Sequence, residues 1–380
     1  MVPKRLPTNK VFINMTALRH NFREVKRLAD DRLIMAVVKA DAYGHGLINS
    51  ARTLVQAGAD SLGVMDVEEG LTLREHGLTL PIHVMGELCY PELVEAALSQ
   101  DLALFASGPE EVKMLSDKAR ELGLKARIHL KIDTGLGRRG LTVPQAEDFF
   151  REAALWPNLD ILGLATHLAT AGDPAAHAQL NTFDELCYKA ATMQVGRSQN
   201  TALNSGGLIW HNGNQARIVR VGLMMYGIHP GPEIGPVRPD LRPAMTVVSR
   251  IATLRELSPG DTVGYGRAYV VRRPMRLAVV PLGYAQGLMR ARSNRGWALI
   301  RGCRAPQVGL ISMDSSTYDV TDIEGVTMGD NVVVLGRHGS VSIKAGDLAA
   351  WAGTTPYEIV TLLGRLNQRL TEGSDYEEDA

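Results

Sequence analysis

The sequence predicts an α/β protein: a (β/α)8 barrel followed by a mostly β C-terminal domain. Three observations carry that expectation. The first 222 residues alternate eight short apolar runs with longer amphipathic stretches. Most of the runs are apolar on both faces, as strands of a parallel sheet covered by helices must be. After a proline-rich stretch the texture changes to Thr/Val/Arg-rich segments broken by turn signals, which reads as β structure. The expected division is a TIM-type barrel over residues 1–230, a linker over 231–245, a mostly β domain over 246–372 and an acidic tail over 373–380.

The eight expected strands are LIMAVV (33–38), SLGVMD (61–66), IHVMG (82–86), LALFAS (102–107), ARIHLKID (126–133), LDILGLATHL (159–168), TALNS (201–205) and ARIVRV (216–221). Between them the helix patterns have readable ends. Leu18, Phe22, Val25 and Leu28–Ala29 fall on one face at helical spacing. Pro109 opens a helix that Gly123 closes. Thr142 with Gln145 forms a capping box ahead of Phe149 and Phe150. The eighth unit is the weakest, because little helix follows ARIVRV. Residues 229–245 then carry five of the eighteen prolines and read as an extended connector. MTVVSRIATLREL (245–257), RLAVVPLG (276–283) and NVVVLG (331–336) are the strand-like stretches that follow, and Thr355 to Leu370 reads as helical.

Composition bounds the function. The 380 residues hold 41 Lys+Arg and 41 Asp+Glu, so the formal net charge is zero and a nucleic-acid partner is disfavoured. Cys89, Cys187 and Cys303 are widely spaced and form no disulfide framework, which points to a reducing, cytoplasmic setting. No apolar run approaches the ~20 residues of a spanning helix, so no membrane role is expected.

The chemistry gathers at strand ends. Lys39, in AVVKADAYGHG (36–46), ends the first expected strand, and the C-terminal end is the catalytic face of a barrel. Apolar surroundings depress a lysine pKa and make the amine usable, as in lysines that form Schiff bases with pyridoxal phosphate (PLP) or sugars. A solvated surface lysine is the competing reading of that segment alone. Arg138, His167, Asn204–Ser205 and Arg220–Gly222 also fall at or just after strand ends. Together with Lys39 they put polar groups from five of the eight strands on one rim. A phosphate has a natural place at Ser205-Gly206-Gly207 and Gly222-Leu223, in the loops after strands seven and eight. Plain turn chemistry explains those glycines equally well when they are taken alone.

AVVKADAYGHG closely resembles the PLP-lysine segment of the alanine racemases. The resemblance continues, in order and spacing, through KIDTGLGRRG (131–140), THLATA (166–171), LNSGG (203–207), RVGLMMYG (220–227), VGYGR (263–267), GYAQG (283–287), SMD (312–314) and TPYEIV (355–360). It implies an isomerase interconverting L- and D-alanine, the latter a peptidoglycan precursor. Lys39 would carry PLP and act as one base, and Tyr265, contributed by the partner subunit of a homodimer, would be the second. Arg220 would hydrogen-bond the pyridine nitrogen. Tyr43, Ser205, Gly222, Leu223 and Tyr357 would hold the phosphate. His167 would lie beside the ring and support Tyr265, with Asn204 nearby. Arg138 and the backbone at Met313 would receive the substrate carboxylate. Lys131 matches a lysine that is often carbamylated and orients that arginine, and Tyr284 matches an entrance residue. No metal is implied.

The sequence departs from the family at Gln286, where aspartate is usual, at Leu136, where methionine is common, and at Gly206-Gly207, where alanines are common. None of these is one of the two bases. Tyr357, which serine-preferring relatives tend to lose, is present, so the resemblance favours alanine over serine or a broader range. Three other readings compete. Gly135-Leu136-Gly137-Arg138-Arg139-Gly140 matches G-x-G-x-x-G, a weak sign of a dinucleotide-binding dehydrogenase. A non-catalytic PLP-homeostasis protein would resemble the barrel alone. A decarboxylase of the same architecture would meet the ring nitrogen with glutamate, where this sequence has Arg220.

Overall fold

The computed structural model describes residues 9–88, 90–211, 214–231 and 235–371. Cys89 and the expected acidic tail at 373–380 lie outside them. The described chain forms two compact units. One comprises Leu18–Ala42 and Leu47–Leu241; the other takes in the described residues up to Ala17, Tyr43–Gly46 and the chain from Arg242 on.

The first strand, β1 (Lys10–Ile13), belongs to the second of these units. The barrel strands follow: β2 (Leu33–Val37), β3 (Ser61–Val64), β4 (Ile82–Val84), β5 (Ala103–Ala106), β6 (Ala126–Lys131), β7 (Leu159–Ala165) and β8 (Ile218–Val221). They run in the order β7-β6-β5-β4-β3-β2-β8, every neighbouring pair parallel. Closure comes from one residue. Thr201 bridges Ala165 of β7 and Ile218 of β8. The seventh expected strand, 201–205, is thereby corrected to a single bridging position, because Asn204 already turns into the helix Ser205–Trp210. The strands β3, β4, β5 and β8 are buried along their whole length, which is why they read as continuous apolar runs. Leu18, Phe22, Val25 and Ala29 bury the inner face of the helix Met15–Ala29. The helix Pro109–Glu121 has its proline in the first turn, and Thr142 with Gln145 closes the capping box of Val143–Glu152. The eighth unit ends in a short 3-10 turn, Leu223–Tyr226, whose Tyr226 hydroxyl donates to the carbonyl of Val37 at 3.0 Å.

The second unit is mostly β. Its strands are β9 (Met245–Arg250), β10 (Thr253–Leu257), β11 (Thr262–Val263), β12 (Tyr269–Val270), β13 (Met275–Val280), β14 (Trp297–Ile300), β15 (Cys303–Pro306), β16 (Ser316–Asp319), β17 (Asn331–His338), β18 (Val341–Ile343) and β19 (Gln368–Thr371). The main sheet runs β15-β14-β17-β9-β1-β19, with β18 on β17; β10-β13-β16 form a three-stranded sheet and β11-β12 a two-stranded ribbon. The expected helix from Thr355 to Leu370 is corrected. It runs Pro356–Arg365, and the chain then extends as β19, parallel to β1. Asn367 marks the change, its amide donating to the carbonyls of Leu363 and Gln286 at 2.8 Å each. Pairing with a distant strand satisfies the β19 backbone, so local helical preference yields to it.

Candidate active site

Lys39 follows β2 by two residues and begins an unusual backbone path. Ala40, Asp41 and Ala42 are all left-handed, with φ of 54°, 57° and 54°. For side chains with a Cβ this conformation costs roughly 1–2 kcal/mol per residue, so the turn needs outside support. Asp41 supplies part of it, its carboxylate accepting from the Leu47 amide at 2.7 Å. Glu69 supplies more, accepting from the Asp41 amide at 2.9 Å. Burial, then the guanidinium of Arg138, holds the Lys39 amine below the ordinary lysine value; Glu69 works in the other direction, and Arg220 lowers it further.

Arg220 lies in β8, buried, and its cation is fixed by neutral groups. Nη1 donates to the Thr201 hydroxyl and Nη2 to the Thr166 carbonyl, each at 2.6 Å. Nη2 also lies 3.2 Å from Nδ1 of His167. A guanidinium can only donate, so Nδ1 accepts and the ring proton sits on Nε2. Burial, then Arg220, Arg138, Lys131 and Lys39, pulls His167 down to about 3. Burial alone brings Arg220 to about 10, so it remains a cation at neutral pH.

Ser205 and Gly222 meet at the ends of the loops after Thr201 and β8. The Gly222 amide donates to the Ser205 hydroxyl at 3.2 Å, and Leu223 follows directly. Asn204 is the helix cap, its side chain accepting from Gly207 at 2.9 Å. It positions Ser205.

The loop carrying Arg138 is built around a residue that sequence reasoning missed. The Asp133 carboxylate accepts from the amides of Gly135 and Leu136 at 2.9 Å, Gly137 at 3.2 Å and Arg138 at 3.1 Å. The dehydrogenase reading fails here. The amides that a pyrophosphate would need are already turned onto a carboxylate. At Gly140, with φ of 141°, a Cβ would stand 2.5 Å from the Asp133 nitrogen, so glycine is required. Arg138 itself is exposed at the rim. Beside it, Lys131 is buried and lowered to about 8 by burial, then by Arg139, Arg138 and Arg220. Arg139 is held elsewhere, paired with Glu111 at 2.9 Å.

The second unit holds the remaining residues in separate places. Tyr43 and Tyr357 lie ring to ring at 6.0 Å. Tyr265 stands on a tight turn between Gly264 and Gly266, both with positive φ, and is 69 % exposed on its own chain. Met313 and Tyr284 belong to one constellation, with the Tyr284 amide donating to Ser312 and the Ala285 amide to Met313, at 3.1 and 2.9 Å. Gln286 donates to Asp314 at 3.2 Å. Besides Asp133, sequence reasoning missed Glu69, Thr166 and Thr201. The D-T-G spacing signalled Asp133; nothing local signals the other three.

The family description "Alanine racemase, N-terminal domain" matches residues 13–230, and "Alanine racemase, C-terminal domain" matches 244–371. The chain is similar to the alanine racemase of Symbiobacterium thermophilum, 39 % identical over 95 % of this chain and 96 % of that one. The crystal structure of alanine racemase from Streptomyces lavendulae superposes with a TM-score of 0.91 at 33 % identity, covering 97 % and 98 % of the two chains. The alanine racemase from Bartonella henselae, solved with covalently bound pyridoxal phosphate, gives 0.85 at 27 % identity over 96 % and 100 %. Matches that span both units at this level place the chain in the alanine racemase family, and it is a racemase.

Proposed function

We propose that the chain interconverts L- and D-alanine with PLP held at Lys39, using Lys39 and Tyr265 as bases on opposite faces, in a homodimer whose active sites are shared. The observation that carries this reading is the rim. A lysine with a weakened hold on its proton lies within electrostatic reach of Arg220 and His167 at the C-terminal ends of parallel strands, and Ser205 meets the Gly222 amide just beyond β8. The donor chemistry fits PLP: an amine for the aldehyde, a guanidinium for the ring nitrogen, and a hydroxyl beside a backbone amide for phosphate.

PLP, when bound, supplies the electron sink for the carbanion left when the α-proton departs. Every other step belongs to the protein. Arg138 binds the substrate carboxylate, for which an exposed guanidinium on a rigid loop is suited. Lys39 moves a proton at one face of Cα and the Tyr265 hydroxyl moves one at the other, so inversion needs no rotation of the substrate. With PLP bound, Arg220 would donate to the ring nitrogen without giving up its proton, being a cation with a pKa of about 10. A cation that keeps its proton there would leave the sink weak and so would restrain transamination. His167, neutral above about pH 3, presents Nε2–H rather than a second cation to the Tyr265 hydroxyl. Met313 contributes backbone to the carboxylate site, and Tyr43 with Tyr357 completes the phosphate site.

The dimer reading is supported by Tyr265, which at 69 % exposure on its own chain is free to serve a site on another copy. The retained Tyr357 favours alanine over serine. Free Cys187 and Cys303 fit a cytoplasmic enzyme, and among the described residues no helix is long and apolar enough to cross a membrane. Tyr265→Phe should abolish racemisation from both enantiomers while the PLP absorbance persists; full retained activity would contradict the two-base assignment. A monomer with undiminished turnover at assay concentration would contradict the shared site.

A further inference from the structure

Glu69 is the partly buried carboxylate at this rim for which the reaction as described has no use. It sits in the first turn of the helix Val67–Glu75, where a glutamate ordinarily folds back on its own helix cap. Here only one oxygen folds back, and the other reaches out of the helix. Oε1 accepts from the Asp41 amide at 2.9 Å and Oε2 from the Met65 amide at 3.2 Å. The first bond lands in the middle of the left-handed run Ala40-Asp41-Ala42 that begins directly after Lys39. Two amides taken by one carboxylate tie the end of β3 to the turn after β2.

We propose that Glu69 is a positioning residue for Lys39: its carboxylate clamps the left-handed turn that aims the amine, and its charge opposes the two guanidiniums that face that amine. This rests on Lys39 being one of the two bases. The groups acting on Lys39 are Arg138, Glu69 and Arg220, so Glu69 is the sole anion among them. Glu69 is itself raised by burial and by Asp66 and Asp41, and held down by its two backbone hydrogen bonds. Its charge is therefore maintained by the bonds that make the clamp. A purely structural glutamate at a helix start would stabilise its helix and leave Lys39 untouched.

The test uses the holoenzyme and two variants. One readout is the pH titration of the cofactor absorbance, which follows the Lys39 nitrogen; the other is hydrogen–deuterium exchange at the Asp41 amide. Glu69→Gln keeps an oxygen for that amide but removes the charge. Its titration should move to lower pH by about one unit, with Asp41 exchange close to native. Glu69→Ala removes both, so the titration should move likewise and exchange at Asp41 should rise by about tenfold. An unmoved titration in Glu69→Gln overturns the proposal whatever happens to stability, as does native exchange at Asp41 in Glu69→Ala. Neither readout depends on Tyr265, so a failed two-base assignment and a failed clamp are distinguishable.

Discussion

Replacing Asp133 should loosen Arg138 while leaving Lys39 in place, because that carboxylate binds four amides of the Arg138 loop. Asp133→Ala is expected to raise KM for alanine by about tenfold with a smaller effect on kcat; equal KM values would show that the loop holds its shape alone. The histidines make a second residue-scale prediction. His83 is lowered to about 3, by burial and then Arg127, and His129 is pushed well below 6.5, by burial and then His83, Arg220 and Arg127. Both stay neutral when folded but protonate near 6.5 when unfolded. Their contribution is therefore complete above about pH 6.5 and is lost as pH falls toward 3, at roughly 1 kcal/mol per pH unit for each. Neither His129 ring nitrogen has a hydrogen-bond partner among the described residues. His129→Phe should thus flatten the fall in urea midpoint between pH 7 and 5, and an unchanged slope would argue against it. Lys39 and Arg220 were legible in the sequence because strand ends announce them. Glu69 was not, since its role depends on Asp41, a residue brought near by β2 and β3 lying side by side.

At the scale of elements, the barrel strands and their helices could be read because burial on both faces leaves a continuous apolar run, and because caps are local. Thr142 and Gln145 illustrate the second reason. Thr142→Ala should cost about 1 kcal/mol of stability and nothing in PLP absorbance; no shift in the thermal midpoint would remove the cap from the account. Elements that depend on distant partners were misread. TALNS has the composition of a strand, yet Thr201 needs just one bridge to each side, and its hydroxyl oxygen accepts from Arg220. β19 carried on a helical pattern, but its backbone is satisfied by β1. β1 itself is four residues long, too short to announce itself before the helix that follows.

For the whole molecule, the order of parts along the chain matters as much as the parts. β1 and β9 are antiparallel neighbours in one sheet, yet the entire barrel lies between them in sequence. The barrel is an insertion into the second unit. Ending the chain after Asn367 should expose the β1 amides that face β19 to faster exchange and lower the thermal midpoint by several degrees, as ~1–2 kcal/mol does in a domain of this size; protection at native levels would show that β9 alone secures β1.

The parallel pairing of β1 with β19 sets a timetable for synthesis. Lys10–Ile13 leaves the ribosome hundreds of codons before its partner at Gln368–Thr371. The nascent chain can complete its barrel while β1 waits, both edges unclaimed, until β9 and then β19 emerge. An apolar strand kept waiting that long is an open invitation to a neighbouring polysome or a chaperone, so the cell's yield of this enzyme should be most sensitive to whatever shields those four residues in the interval.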